Sequence, residues 1–266
     1  MKRTNFFKKV AMMMAGSLIL PAVALADIKM GIILGFTGPI ESLTPDMAGS
    51  AEVAFKEASD SGNLLGGEKI VVVRADSTCI DAGAATAAAE RLVTSEKVVA
   101  IMGADCSGVT TAIANNVAVP NGVPMISPSS TSPALTTIED NGYFFRTAPS
   151  DARQGQVLAK IVMDRGISEI AVTHTNNDYG KGLTDSFSSA YTALGGKISA
   201  TVPHEDGKAD YSAEVASLDA SGAEVLAVFG YVDQGGRYMI QTSLDSGAFD
   251  KFILADGMYG DSLLEN

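Results

Sequence analysis

Small groups of hydroxyl, acidic and aromatic residues follow short apolar runs at several places in the chain. The hydroxyl residues in such positions are Ser107, Ser129, Ser130 and Thr131. Hydroxyl groups beside the unpaired N–H groups of a helix N-terminus suit a carboxylate, because the N–H groups and the helix dipole both favour negative charge. Asp256 suits an ammonium group, and Tyr179 and Tyr231 can cover an apolar side chain or a cation. Together these residues predict a binding site for a zwitterion.

Each of these residues also has a plainer interpretation. Ser107 is equally suited to be an ordinary N-cap. Asp256 can simply begin a turn, and either tyrosine can be half-buried packing. Their shared position favours the binding site, because ligands of open α/β sheets bind beyond the carboxyl ends of the strands.

Catalytic motifs are absent from the sequence. It has no G-x-S-x-G nucleophile elbow, no G-x-x-x-x-G-K-[ST] phosphate loop and no H-E-x-x-H zinc motif. His174 follows a predicted strand, where a structural role is the usual one for a single histidine. His204 is predicted to lie in a polar loop. We therefore expect no catalytic residue, no metal site and no cofactor.

The elements that must position the candidate site are alternating strands and helices. Short β-branched runs alternate with longer Ala-rich segments of helical periodicity, which is typical of βαβ units and a parallel sheet. The predicted strands are 28–34, 70–75, 98–102, 124–126, 170–173, 197–202, 225–229 and 252–255. The predicted helices are 46–61, 81–95, 107–117, 151–165, 181–194, 211–220 and 233–246.

These elements form two similar series, which meet near residues 146–151. We expect an α/β fold with an N-terminal lobe over 27–147 and a second lobe over 148–266, each a parallel sheet flanked by helices. The sequence stops just after a predicted strand, and such a lobe would have an uncovered edge. We therefore expect the second lobe to be incomplete, with its C-terminal part missing.

Residues 1–26 have the organisation of a secretory signal peptide. An apolar run over 10–20 and the small residues of Ala24-Leu25-Ala26 follow a cationic start, formed by Lys2, Arg3, Lys8 and Lys9. The apolar run is too short to span about 30 Å of hydrocarbon. The whole chain has a net charge of −12, which disfavours binding to nucleic acid or to an anionic membrane. We expect an exported monomer that begins at Asp27.

The sequence contains two cysteines, Cys79 and Cys106, both in the part predicted to be exported. An oxidising compartment allows them to pair, and a disulfide would stabilise the fold by about 3–4 kcal/mol. The alternatives are two free thiols, or a metal or redox pair. The long spacing excludes C-x-x-C chemistry, and the histidines complete no zinc pattern. A structural disulfide is the favoured interpretation.

Five sequence motifs occur in order along the chain. They are IILGFTGP at 32–39, DSTC at 76–79, IMGADCS at 101–107, PMISPSSTSP at 124–133 and NDYGKG at 177–182. With these motifs the chain resembles the leucine/isoleucine/valine-binding family, the type I periplasmic solute-binding proteins of ABC transporters. The resemblance runs from about Asp27 to the end of the sequence.

The resemblance implies a two-lobed type I periplasmic binding protein fold with a ligand closed in the cleft. It also implies a Cys79–Cys106 disulfide. Family members continue well past residue 266 and back through the first lobe, which agrees with the expectation of a missing C-terminal part.

The resemblance further implies a role for each site residue. Ser107 and Thr131 would hold the ligand carboxylate, and the backbone at Ser129 would help to bind the amino group. Asp256 would pair with the ammonium group. The second lobe would contribute two tyrosines, Tyr179 and Tyr231. Near Leu43 the leucine-binding relatives often have an aromatic residue, and Asp rather than Glu occupies position 256, so the ligand side chain stays open.

Three functions agree with these features to different degrees. The first is a periplasmic receptor that delivers an aliphatic or branched-chain amino acid to an ABC permease by hinge closure. The second is a sensing module for an amino-acid-like or amide ligand, coupled to a receptor or regulator. The third is a secreted hydrolase, which the missing motifs disfavour. Permease genes nearby would favour the first, and a kinase gene the second.

Overall fold

The computed structural model describes residues 27–65 and 67–264. The predicted signal peptide lies outside the described residues. The strands are β1 (Ile28–Leu34), β2 (Ile70–Asp76), β3 (Ala100–Gly103), β4 (Met125–Ser127), β5 (Phe144–Arg146), β6 (Glu169–Thr175), β7 (Lys197–His204), β8 (Leu226–Phe229) and β9 (Phe252–Leu254). The α-helices are α1 (Thr44–Asp60), α2 (Ala82–Glu90), α3 (Ser107–Ile113), α4 (Asp151–Asp164), α5 (Asp178–Ala193), α6 (Ser212–Asp219) and α7 (Gly235–Ser246).

The strands form two sheets. The first has the order β2-β1-β3-β4-β5 and the second has the order β7-β6-β8-β9. Every pairing is parallel. Helices join successive strands, so the predicted α/β fold with parallel sheets flanked by helices is confirmed. Among the described residues, no helix has the length and apolar character needed to cross a membrane.

Several predicted boundaries differ from the structure for local reasons. β5 was not predicted, because its three residues, Phe-Phe-Arg, include no β-branched residue. Helix α5 begins three residues earlier than predicted, at Asp178. The cause is Asn177, whose Oδ1 accepts hydrogen bonds from the N–H groups of Tyr179 and Gly180, each at 3.1 Å. Tyr179 therefore lies in the first turn of a helix and not in a loop.

β6 and β7 are longer than predicted, and both histidines lie in them. The expectation that His204 lies in a polar loop is wrong, because it is the last residue of β7 and is 1% exposed. Its Nδ1 lies 2.8 Å from Thr173 Oγ1 on β6. β7 also contains Pro203, which an edge strand tolerates because one side of it needs no ladder hydrogen bonds.

The two cysteines are bonded to each other, so the favoured disulfide is confirmed. Cys79 lies in the loop after β2, and Cys106 is the residue immediately before α3. Both are buried. The bond therefore fixes the start of α3, where Ser107 lies, to the neighbouring loop of the same sheet edge.

The helices of the second half pack closely. Gly155 on α4 faces α5, and a Cβ atom at this position would lie 2.5 Å from the backbone nitrogen of Phe187. Only glycine allows the two helices to approach so closely. Beneath this contact, Phe187 meets Phe229 of β8 edge to face, with ring centroids 5.2 Å apart.

We expect the buried imidazole of His204 to make the fold sensitive to acid. Burial, followed by the charges of His174 and Lys208, lowers the pKa of His204 to about 3. The unfolded chain takes up a proton below about pH 6.5 and the folded chain does not, so this contribution to stability falls as the pH falls from about 6.5 towards 3. Between pH 7.5 and pH 5 the loss is about 2 kcal/mol.

Urea unfolding of the wild type and of His204→Asn at both pH values measures this loss. Asparagine is neutral and keeps a partner for Thr173, so the variant should lose about 2 kcal/mol less on acidification. The same comparison with His174→Asn shows whether the effect belongs to His204. If the wild type and His204→Asn lose the same free energy of unfolding between pH 7.5 and pH 5, the prediction is contradicted.

Candidate functional site

A cavity of about 110 Å³ lies where the carboxyl ends of the two sheets face each other. Its lining residues are Ile40, Leu43, Met47, Asp105, Cys106, Ser107, Ser129, Thr131, Tyr179, Tyr231, Asp256 and Gly257. The structure thus brings together all the predicted site residues except Ser130.

A larger depression of about 580 Å³ lies on the first sheet beside α1. Its lining is mainly apolar, with Phe55, Met102, Ile126 and Phe145 among the residues, and none of them is charged. A charged or zwitterionic ligand would find no ionic partner there. We therefore take the smaller cavity, where acids and hydroxyls converge, as the candidate functional site.

Ser107 lies at the start of α3 and is buried. Its Oγ accepts hydrogen bonds from the backbone N–H groups of Thr131 at 3.2 Å and Ser132 at 3.1 Å. A serine hydroxyl has one proton to donate in addition to its two acceptor positions. Ser107 thus joins the start of α3 to the loop after β4 through the acceptor positions of its hydroxyl.

Ser129 and Ser130 lie next to each other but have different surroundings. The Ser129 hydroxyl donates to the carbonyl oxygen of Asp105 at 2.9 Å at the edge of the cavity. Ser130 is 0% exposed, and its Oγ lies 2.6 Å from Thr110 Oγ1 and 3.2 Å from the carbonyl oxygen of Ala104. The structure therefore places Ser130 in the interior and not on the cavity.

Tyr179 and Tyr231 form a stacked pair on one wall, with ring centroids 5.2 Å apart and an interplanar angle of 21°. Tyr179 Oη donates to Asp256 Oδ1 at 2.8 Å and accepts from the N–H of Gly257 at 3.1 Å. Tyr231 Oη accepts from Asn177 Nδ2 at 3.2 Å. Burial raises the pKa of both phenols well above the ordinary value, so both are neutral.

Asp256 begins a short 3-10 turn after β9. Its carboxylate faces the cavity and is oriented by the Tyr179 hydroxyl. The residue is nevertheless exposed. The reason is that Asp256 is the second residue beyond β9, the edge strand of the second sheet, and lies at the rim of the site.

The buried acid beside the cavity is Asp151, which sequence reasoning did not select. It is the first residue of α4 and is 1% exposed, and its N–H donates to the Thr131 carbonyl oxygen at 2.9 Å. Its Oδ2 has no hydrogen-bond partner among the residues that the structure describes. Burial, with the charge of Asp256, raises the pKa of Asp151 to about 7, against a hydrogen bond from the Thr131 side chain and the charge of Arg146.

Asp105 is a third acid at this site, but its carboxylate is fully engaged. It accepts from the N–H of Gly35 at 2.7 Å, from the N–H of Cys106 at 3.0 Å and from the hydroxyl of Ser77 at 3.3 Å. Burial nevertheless raises the pKa of Asp105. Asp105 thus holds together three loops of the first sheet, and it also adds negative potential to the cavity wall.

The electrostatic balance of the site favours a positive group. None of the described residues that line the cavity is Lys, Arg or His. Arg146, near Asp151, donates instead to the carbonyl oxygens of Ser130 at 3.2 Å and Ser132 at 2.9 Å. Within the described ranges, no group of three or more His, Cys, Asp or Glu side chains is placed to hold a metal ion.

Comparisons with known proteins identify the family of the chain. Residues 27–265 match the model of a family described as periplasmic binding protein. A Leu/Ile/Val-binding protein homolog of Brucella melitensis is 34% identical over 225 residues, which cover 81% of this chain and 57% of the relative.

Solved structures show the same fold. A leucine-binding protein from Thermotoga maritima superposes with a TM-score of 0.80 at 27% identity, covering 90% of this chain and 66% of that protein. An ABC-transporter solute-binding protein from Rhodopseudomonas palustris, in complex with 3,4-dihydroxybenzoic acid, gives a TM-score of 0.73 at 20% identity, with coverages of 89% and 66%. The chain thus spans about two thirds or less of the length of these relatives.

Proposed function

Because this chain belongs to the periplasmic binding protein family, as its sequence motifs predicted, we propose that it is the substrate-binding component of an ABC importer. The ligand is an aliphatic or branched-chain amino acid, held between a first lobe (27–147) and a second lobe (148–266). The family consists of binding proteins, so the chain is not an enzyme. We further propose export to the periplasm after removal of residues 1–26, and delivery of the ligand to a membrane permease by the monomer.

The observation that carries this proposal is the convergence of hydroxyl donors and acids on one small cavity. The Ser107 hydroxyl and the N-terminal end of α3 offer donors to a carboxylate. Asp151 and Asp256 offer negative charge to an ammonium group. Pairing with a ligand ammonium would also satisfy the unpartnered oxygen of buried Asp151, which otherwise carries a desolvation cost.

The remaining lining residues suit an aliphatic side chain. Ile40, Leu43 and Met47 supply an apolar surface from the first lobe, opposite the stacked tyrosines of the second. The side chains of Ile40, Leu43 and Met47 offer no hydrogen-bond donor to a polar group of the ligand. A small hydrophobic side chain fits this surface by burial of apolar area.

An aromatic carboxylic acid is the second candidate, because a structural neighbour is in complex with 3,4-dihydroxybenzoic acid. Such a ligand has a carboxylate and no ammonium group. It would place an anion close to Asp105, Asp151 and Asp256 without compensating charge. The amino acid is therefore the favoured ligand class.

Isothermal titration calorimetry with L-leucine, L-isoleucine and L-valine tests the proposal. Two matched ligands complete the panel: 4-methylpentanoate, which is leucine without its ammonium group, and 3,4-dihydroxybenzoate. Saturable binding of at least one amino acid, and much weaker binding of both acids, is the expected result. If 3,4-dihydroxybenzoate binds tightly and none of the amino acids binds, an aromatic carboxylic acid is the ligand class.

We expect Asp256→Asn to weaken amino-acid binding by about 1–3 kcal/mol, or roughly 5- to 150-fold, because the ammonium loses a charged partner. The exposure of Asp256 keeps the effect below that of a buried ion pair. Binding of 4-methylpentanoate should change far less. If Asp256 only begins a turn, the variant will instead lower the stability of the free protein and leave the dissociation constant within about threefold.

Asp151 should couple binding to pH. Its pKa of about 7 in the free protein means that it carries a proton below neutrality, and an ammonium ligand favours the ionised form. Binding below pH 7 therefore releases a proton, and with Asp151 ionised in the complex the dissociation constant should be about 30-fold higher at pH 5.5 than at pH 8. Calorimetry in buffers of different ionisation enthalpy measures the number of protons released on binding. Asp151→Asn should abolish the release of this proton. If the variant still releases as many protons on binding as the wild type, the proton comes from another group.

Leu43→Trp should change the order of preference among valine, leucine and isoleucine, because Leu43 contributes to the apolar surface of the cavity. The fold should tolerate the change, since Leu43 is only partly buried. Leu194→Trp is the matched control, at an exposed position at the end of α5. Uniform scaling of all three dissociation constants would show that Leu43 does not select the side chain.

A further inference from the structure

Asp233 lies just before α7 and contacts the loop formed by residues 38–43 of the first lobe. Its backbone N–H donates to the carbonyl oxygen of Pro39 at 3.0 Å. Its Oδ2 accepts from the backbone N–H of Ser42 at 2.8 Å. One residue thus makes a donor and an acceptor contact with main-chain groups 191 or more positions away in the sequence.

The carboxylate of Asp233 is held in place from its own side of the cleft. Ser262 Oγ donates to Asp233 Oδ1 at 2.8 Å, so each carboxylate oxygen has a partner. The preceding residue, Val232, is fully buried. The side chain is therefore oriented before it meets the first lobe, and little conformational entropy is lost in that contact.

The 38–43 loop is anchored to its own lobe at one end. Gly38 has φ +108°, and a Cβ atom there would lie 2.4 Å from the carbonyl oxygen of Thr78. The other end leads into α1, where Leu43 occupies the N-cap position. Leucine has no side-chain oxygen, so the acceptor that reaches this end of α1 is the carboxylate of Asp233, one residue before the cap.

The same loop and the same segment of the second lobe form the wall of the cavity. Ile40 and Leu43 belong to the loop, and Leu43 is next to Ser42. Tyr231 lies two residues before Asp233 and stacks on Tyr179. Asp233 itself is absent from the residues that line the cavity. Residues that line the cavity thus lie within two positions of residues that join the two lobes, in both segments.

We propose that Asp233 is an interlobe latch, a positioning residue that holds the 38–43 loop against the second lobe while the cleft is closed. It sets how long the ligand stays in the cavity without touching the ligand. The identity of that ligand rests on the proposed function, whereas closure by Asp233 rests on the contacts of Asp233 alone. The latch recognises main-chain groups, so it does not depend on which side chain occupies Pro39 or Ser42.

The test compares the wild type with Asp233→Ala, Asp233→Asn and the control Asp219→Ala, an exposed aspartate at the end of α6. Stopped-flow tyrosine fluorescence with L-leucine as the probe separates the association and dissociation rates, since the chain has no tryptophan. Asp233→Ala should raise the dissociation constant about 10- to 100-fold, almost entirely through faster dissociation. The control should leave both rates within about twofold, in line with surface substitutions elsewhere.

Small-angle X-ray scattering of the ligand-free proteins provides a second, ligand-independent measurement. Asp233→Ala should increase the radius of gyration relative to the wild type, and Asp219→Ala should not. If the wild type binds none of leucine, isoleucine and valine but Asp233→Ala is more open, the proposed function fails and the latch stands. If the variant and the wild type have equal radii and equal dissociation rates, the latch is overturned.

Asp233→Asn is the variant that tests the latch if Asp233→Ala does not fold. It preserves the shape of the side chain and removes its charge, so dissociation should be about 3- to 10-fold faster because the hydrogen bond from Ser42 is no longer charge-assisted. Circular dichroism establishes that each variant is folded. A folded asparagine variant with the dissociation rate and radius of gyration of the wild type would overturn the latch.

Discussion

Parallel pairing is the constraint on which the rest of this molecule depends. In the first sheet Leu34 of β1 is level with Asp76 of β2, and Ile33 is level with Gly103 of β3. In the second sheet His174 of β6 is level with Phe229 of β8. Because every strand runs the same way, the loops that follow the strands gather at one edge of each sheet. Residues as distant as Leu43 and Asp256 share one cavity for this reason.

The acids at this edge differ in how many hydrogen-bond partners they have, and this difference determines which ligand charge the site favours. Asp105 is surrounded by donors from three loops, whereas buried Asp151 keeps one oxygen without a partner. Arg146 directs its donors to carbonyl groups beside the site. Burial of an isolated charge costs free energy. The carboxyl group of Asp151 avoids this cost because it stays protonated up to about pH 7. A ligand that brings its own cation removes the cost, and a simple anion adds to it.

The sequence predicted those parts of the site whose signal is local. Ser107, Thr131 and Asp256 each follow an apolar run, so the rule on strand ends was sufficient to select them. Ser130 was selected with its neighbours, but its side chain points into the interior, and no periodic pattern exists in an irregular loop to reveal this. The strand β5 was missed because it contains no β-branched residue. The strand position of His204 was missed because β7 ends in a proline and a histidine, without apolar alternation.

Asp151 and Asp233 were missed for a different reason. Each lies at or just before the start of a helix, where an acid is common and is adequately explained by the helix dipole. What distinguishes Asp151 is its burial beside Thr131, and what distinguishes Asp233 is contact with the loop before α1. Both properties depend on how the two halves of the chain face each other, and the periodicity of either segment contains no information about that.

In the proposed mechanism, ligand recognition and closure are coupled through very short stretches of chain. Leu43 and Ser42 are adjacent, and Tyr231 and Asp233 are two residues apart, so neither pair can move independently over more than a few ångströms. A ligand shifts a conformational equilibrium only by its difference in affinity for the two states. In the proposed mechanism, opening of the cleft would separate Leu43 from Tyr231 and so remove one side of the cavity wall. A ligand that touches both walls must therefore favour the same state in which Asp233 meets Ser42.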